Sequence, residues 1–123
     1  MKRFVEVRSY NLKRGHRDEF HRLVVEKSLP LLRKWAVDVV DFGPSPHDED
    51  SYYLIRAYGS LAERASSHEA FYASPEWREG PRAAIVALIE NDTSIVLELD
   101  AAAVDLLRRG TKGARLVGPM GTS

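Results

Sequence analysis

Cysteine is absent from the 123 residues. Its absence excludes disulfides, thiolate catalysis, Cys-ligated zinc and iron–sulfur clusters, and it fits a reducing compartment. Net charge is lacking as well, because 18 basic residues balance 18 acidic ones. With no global field to draw in phosphate backbones or anionic lipids, neither nucleic acid nor a membrane is an expected partner. Long apolar runs are also missing. The longest, Ala83 to Ile89, falls far short of a bilayer span. The start, Met1 to Glu6, is basic, but Glu6 and Arg8 interrupt any apolar stretch, unlike a secretory signal. The cytoplasm is therefore the expected location. No glycine-rich phosphate loop and no Ser-His-Asp spacing of the hydrolase kind occurs.

What is present reads as one domain, residues 1–109, with a glycine-rich tail over residues 110–123. Phe4 to Leu12 alternates in polarity and is rich in β-formers, which predicts a strand with Val5 and Val7 on one face and Glu6, Arg8 and Tyr10 on the other. Lys13-Arg14-Gly15 is a turn. His16 to about Trp35 predicts a helix, with Asp18 and Glu19 in its acid-favouring first turn and a kink before Pro30. Val37 to Gly43 and Ser51 to Tyr58 predict a hairpin about a polar loop. The second of these strands places Tyr53, Ile55 and Ala57 on one face and Tyr52, Leu54, Arg56 and Tyr58 on the other. Ser60-Leu61-Ala62-Glu63 is a capping box that opens a helix to about Ala73. Pro75 suits the first turn of the next helical piece. Pro81 begins another, ended by Asn91-Asp92, and Thr93 to Leu99 predicts a fourth strand.

The order β-α-β-β-α-β predicts an α+β, ferredoxin-like fold, with two crossover helices on one face of a four-stranded antiparallel sheet. Phe4, Tyr10, Leu54 and Tyr58 are assigned to the other, bare face, which needs a cover. A second copy is the simplest one, so a homodimer is expected.

The stretch Val5-Glu6-Val7-Arg8-Ser9-Tyr10-Asn11-Leu12-Lys13-Arg14-Gly15 resembles the opening signature of the NIPSNAP family, "ELRTYTLKPG". Ala57-Tyr58-Gly59-Ser60-Leu61-Ala62-Glu63-Arg64 resembles its "AYESLAER", and Ser74-Pro75-Glu76-Trp77 its "DPEW". Position 14 departs, with Arg14 where the family often has Pro. The resemblance covers roughly residues 3 to 99. It implies the dimeric α/β-barrel superfamily, which includes cofactor-free monooxygenases, haem-degrading oxygenases and isomerases. It transfers no catalytic residue, because the family carries no agreed catalytic motif.

Strand alternation groups Glu6, Arg8, Tyr10, Arg56 and Tyr58 as a candidate pocket. Two guanidinium groups suit a small carboxylate or enolate, and an aromatic ligand would suit the tyrosines. Either tyrosine could donate a proton or hold an oxyanion. The competing reading pairs Glu6 with Arg8 or Arg56 as a structural ion pair. His16 and His21 lie five apart, off a common helical face, and predict no metal site. His68 matches the helix histidine of haem-degrading relatives only by analogy, and no other haem signature accompanies it. No cofactor is assigned. Two functions follow: a cofactor-independent small-molecule enzyme or binder with a cavity between sheet and helices or partner, or a non-catalytic homodimeric scaffold whose seam is that same face.

Overall fold

The computed structural model describes residues 2–108. The expected tail, and with it the boundary after residue 109, lies outside the described residues. Four strands, β1 (Phe4–Leu12), β2 (Asp38–Pro44), β3 (Ser51–Tyr58) and β4 (Ile89–Glu98), form one antiparallel sheet in the order β2-β3-β1-β4. β1 is central. Glu6 stands opposite Arg56 on one side and Val96 on the other, and Tyr10 stands opposite Tyr52 and Asp92.

The first crossover is a single helical path of three segments. α1 (Arg17–Leu23) passes into a π-helical turn at Val24–Ser28 and continues as α2 (Leu29–Lys34). The expected kink at Pro30 takes this form. Proline has no N–H and its ring clashes with the preceding turn. The wider turn just before it sends the Leu29 N–H to the Val24 carbonyl, and Pro30 sits at the start of α2, where no donor is needed. α2 closes with Ala36 in the left-handed region at φ 58°. Ala36 N–H reaches Arg33 O and Val37 N–H reaches Leu32 O, the paired bonds of a Schellman cap.

The second crossover comprises α3 (Leu61–Ala73), α4 (Pro75–Arg78) and α5 (Arg82–Val86). The capping box forms as expected at its near half: Ser60 Oγ accepts from the Glu63 N–H at 3.0 Å. The Glu63 carboxylate reaches back one residue further than expected, to the Gly59 N–H. Pro75 occupies the first turn of α4, and Ser74 Oγ caps it by accepting from the Trp77 N–H. β4 starts at Ile89, so Asn91 and Asp92 lie inside a strand rather than ending a helix. On an edge strand exposed along most of its length, these turn-prone residues keep their side chains in water and cost little.

The face assignment is corrected. Tyr10, Tyr52 and Leu54 pack with Phe20, Val24, Leu29, Leu32, Phe71 and Trp77 beneath the helices. Tyr58, on the same face, lies against His68 of α3. The open face is instead the one with Val5, Val7, Ile55 and Ala57. A last helix over residues 101–108 covers one end of it, with Val104 buried against Val5, Val40 and Ala57 and Arg108 forked onto Asp38 at 2.6 and 2.7 Å. Alternation showed which residues share a face. It could not show which face the crossovers choose, because both carry apolar side chains. No helix among the described residues is long and apolar enough to cross a membrane.

Candidate functional site

The five expected pocket residues do share one face, and that face lies inside the chain, under α3. β1 supplies Glu6, Arg8 and Tyr10, and β3 supplies Arg56 and Tyr58. α3 lays down a matching stripe of Arg64, His68 and Tyr72, each one helical turn from the next.

Glu6 is the hub and has no exposure to water. Its Oε1 accepts from Arg56 Nε at 2.8 Å and lies 3.2 Å from His68 Nε2. Its Oε2 accepts from the Arg64 guanidinium at 2.6 Å. Burial alone would push this carboxyl up. The hydrogen bond from His68, the Arg56 charge and the bonds from Arg64 outweigh that and hold it well below the usual carboxylate range. Arg56, also buried, passes a bond from its Nη1 to the Tyr72 hydroxyl at 2.8 Å. Glu6 and Arg56 are therefore mutually satisfied, and the structural ion pair is the correct account of those two.

Arg8 and Tyr58 differ. Arg8 gives Asp92 one bond of 3.2 Å and lies 5.9 Å from the Tyr10 ring centre, but its Nε is buried with no hydrogen-bond partner among the described residues. The Tyr58 hydroxyl is likewise buried and unpartnered. Burial pushes it up to about 12, so it stays a donor at neutral pH. Buried polar groups normally find partners, so two such groups on one polar face are exceptions that call for a reason.

The space beside them is uneven. A cavity of about 40 Å³, room for little more than a water, lies among Tyr10, Phe20, Leu54, Tyr72 and Trp77. On the outer side of Tyr72 opens a depression of about 630 Å³ that Arg78 and Arg82 also line. A separate groove of about 750 Å³ follows the outer edge of β2, away from this cluster. Trp77 is a core residue, its ring 5.4 Å from Phe71 and 5.5 Å from Tyr72. His21 sits elsewhere and bonds Tyr52 Oη at 2.6 Å, while His16 meets Glu19.

Arg64 and Tyr72 were not expected at the site. The signal lay in the sequence: Arg64, His68 and Tyr72 recur every four residues after a capping box, so one stripe of the helix is polar where an apolar stripe would be the rule. A polar stripe facing a sheet implies buried charges beneath it, and Glu6 is the carboxylate that meets it.

Comparison with other proteins gives the frame. An uncharacterized NIPSNAP domain protein from Burkholderia xenovorans shares 23% identity at a TM-score of 0.72, covering 80% of this chain and 95% of that one. A nipsnap family protein with unknown function from Agrobacterium tumefaciens strain C58 shares 24% at 0.73, covering 78% and 86%. A "putative antibiotic biosynthesis monooxygenase" from Nitrosomonas europaea shares 14% at 0.59, covering 76% and 95%. At such identities the likeness is one of fold. No functionally curated protein matches the chain. The NIPSNAP family model matches residues 5–101, nearly the whole described structure from β1 to the start of the last helix, and the chain belongs to the NIPSNAP family.

Proposed function

We propose that this NIPSNAP protein is a cofactor-independent enzyme or binder for a small organic acid, taken up at the partly exposed Arg8 where β1 meets the edge strand β4. Arg8 is the cation that receives it. The observation carrying this reading is the buried, unpartnered Arg8 Nε on a face where Glu6 and Arg56 are already matched. The free Nε donates to one carboxylate oxygen, and Nη2 on the same guanidinium edge, which now bonds Asp92, would be shared with or turned to the other. Tyr10, its ring centre 5.9 Å from the Arg8 guanidinium, adds an aromatic wall for a planar ligand.

A binder at a hundredfold its dissociation constant stabilises a protein by about 2.7 kcal/mol. For a domain of this size that raises the melting temperature by roughly ten degrees. Thermal melts of the wild type with pyruvate, 2-oxobutyrate, acetoacetate, benzoate and salicylate should show such a shift for at least one acid. Arg8→Met keeps most of the apolar stem and should lose the shift while melting near the ligand-free wild type. No shift with any acid, or an equal shift in Arg8→Met, retires the pocket.

A second reading, a homodimeric interaction domain without catalysis, has its own support. Ile95 and Leu97 are 59% and 42% exposed on the open face, beside half-buried Val7 and Ile55. The seam in that reading lies on the opposite side of the sheet from Arg8, so a dimer formed there would leave the Arg8 site untouched.

A further inference from the structure

Arg8 does not stand alone at the β1–β4 junction. Its Nη2 donates to Asp92 Oδ1 at 3.2 Å. Asp92 lies on β4 opposite Tyr10, one step diagonally from Arg8, and the residue directly opposite Arg8 is Ser94. Strand alternation puts all four side chains on one face. Both charged groups reach water, the Arg8 side chain at 23% and that of Asp92 at 34%. Arg8 Nε has no partner, and Asp92 Oδ2 accepts no hydrogen bond from the described residues. The pair therefore offers an open donor and an open acceptor side by side.

Charge decides what fits them. The other ionised group that acts on Arg8 is Arg56, which Glu6 already matches. Burial pushes the Tyr10 hydroxyl up, so it stays neutral. Arg8 and Asp92 thus cancel each other. A plain carboxylate docking on Arg8 brings a second negative charge to one guanidinium, and the two carboxylates repel across it. An ammonium group on the ligand removes that penalty. In an α-amino acid it is attached to the carbon that bears the carboxylate, so the ligand carries its two charges side by side, as the pair does.

We infer that Asp92 is a specificity residue that makes the Arg8 site select α-amino acids over plain carboxylic acids, with the ligand carboxylate on Arg8 Nε and the ligand ammonium donating to Asp92. This deepens the acid-binding reading and rests on it. Binding exchanges one internal ion pair for two intermolecular ones and leaves the charge of the site unchanged. The ligand side chain then has the Tyr10 ring beside it, its centre 5.9 Å from the Arg8 guanidinium, which suits an aromatic amino acid. The edge position suits the exchange. β4 is paired on one side and exposed along most of its length, so Asp92 can turn to a ligand without disturbing the core. The register of β4 does not depend on the Arg8–Asp92 bond. On the other side of the sheet Asn11 donates to Asn91 at 2.7 Å, and the ladder with β1 runs from Phe4 to Leu12.

Isothermal titration calorimetry of the full chain tests it, at low ionic strength where exposed charges are least screened. Two matched pairs serve as probes: L-phenylalanine against 3-phenylpropionate, and L-alanine against propionate. Within at least one pair the wild type should bind the amino acid about tenfold more tightly, the low end for a hydrogen bond to a charged group. Asp92→Asn keeps the size of the side chain and removes its charge. It should fold as the wild type does and lose that preference, binding the plain acid as well as the amino acid or better. Arg8→Met should bind neither member of a pair. A wild type that favours the plain acids, or a preference that survives in Asp92→Asn, overturns the role of Asp92. If the melting shifts with pyruvate, benzoate and the other acids stand at the same time, the Arg8 site itself is left in place. Absence of those shifts, with no binding of any of the four probes to wild type or Asp92→Asn, retires both.

Discussion

Glu6 and Arg56 face each other across β1 and β3, with 0% and 1% of their surfaces reaching water. Removing one partner of such a pair strands the other charge, which costs about 3–5 kcal/mol. Arg56→Met should destabilise by that amount in urea denaturation, while Arg8→Met should stay close to wild type. Equal losses in both would show that Arg8 is structural too. The same carboxylate sets an acid limit. Its folded value lies below the ordinary 4.5, so the unfolded chain takes up the proton first. The stability due to Glu6 is whole above about pH 5 and drains away as the pH falls through 4.5 toward the depressed folded value. Glu6→Gln cannot titrate. Its stability deficit against wild type should therefore be largest near pH 7 and narrow at pH 3. A deficit constant with pH would mean that folding leaves the proton affinity of the Glu6 carboxyl unchanged, and a deficit that grew toward acid pH would mean that it is raised. Sequence alternation was enough to bring Glu6, Arg8, Tyr10, Arg56 and Tyr58 together. It could not divide them into matched and unmatched groups, because that division depends on Arg64, His68 and Tyr72 arriving from a helix some 60 residues later in the chain.

At the level of elements, the cap of α2 carries a correctable strain. Ala36 holds φ at 58°, a region that costs a side chain but not glycine. Ala36→Gly should raise stability by up to about 1 kcal/mol, after the entropy glycine adds to the unfolded chain is subtracted. A loss in the same denaturation assay would show that the Ala36 methyl packs more than its backbone strains. The capping box at Ser60, the proline at the head of α4 and the alternation of β1 and β3 were all legible, because each is a local rule obeyed locally. The start of β4 was not. Asn91 and Asp92 are poor strand formers, and they lie in one because pairing with Asn11 and Tyr10 along the whole length of β1 outweighs their preference. The π turn before Pro30 was legible only as a disturbance. Its form depends on where the helix must bury Val24, Leu29 and Leu32.

For the whole molecule, the open sheet face is where a second copy would dock. Ile95 and Leu97 stand exposed next to Val7 and Ile55, and among the described residues the helix over 101–108 covers the far end of that face. If a second copy covers them, sedimentation at micromolar protein should give twice 13.9 kDa. Ile95→Asp combined with Leu97→Lys, both on an exposed edge strand, should give folded monomer. A wild-type monomer would retire the dimer. The strand order has a further consequence, one of timing. Of the four strands the ribosome delivers β1 first, yet β1 ends in the middle of the sheet. Its inner neighbour β3 is complete only at Tyr58 and its outer neighbour β4 only at Glu98. Until residues 51–64 are made, β1 has no neighbour in place and its Glu6 no guanidinium to meet, and its other edge stays bare until residue 98. The sheet cannot close progressively from one end. It closes late, around the earliest made of its four strands, and a chain released before residue 98 would present the bare edge of β1 to whatever strand is nearest.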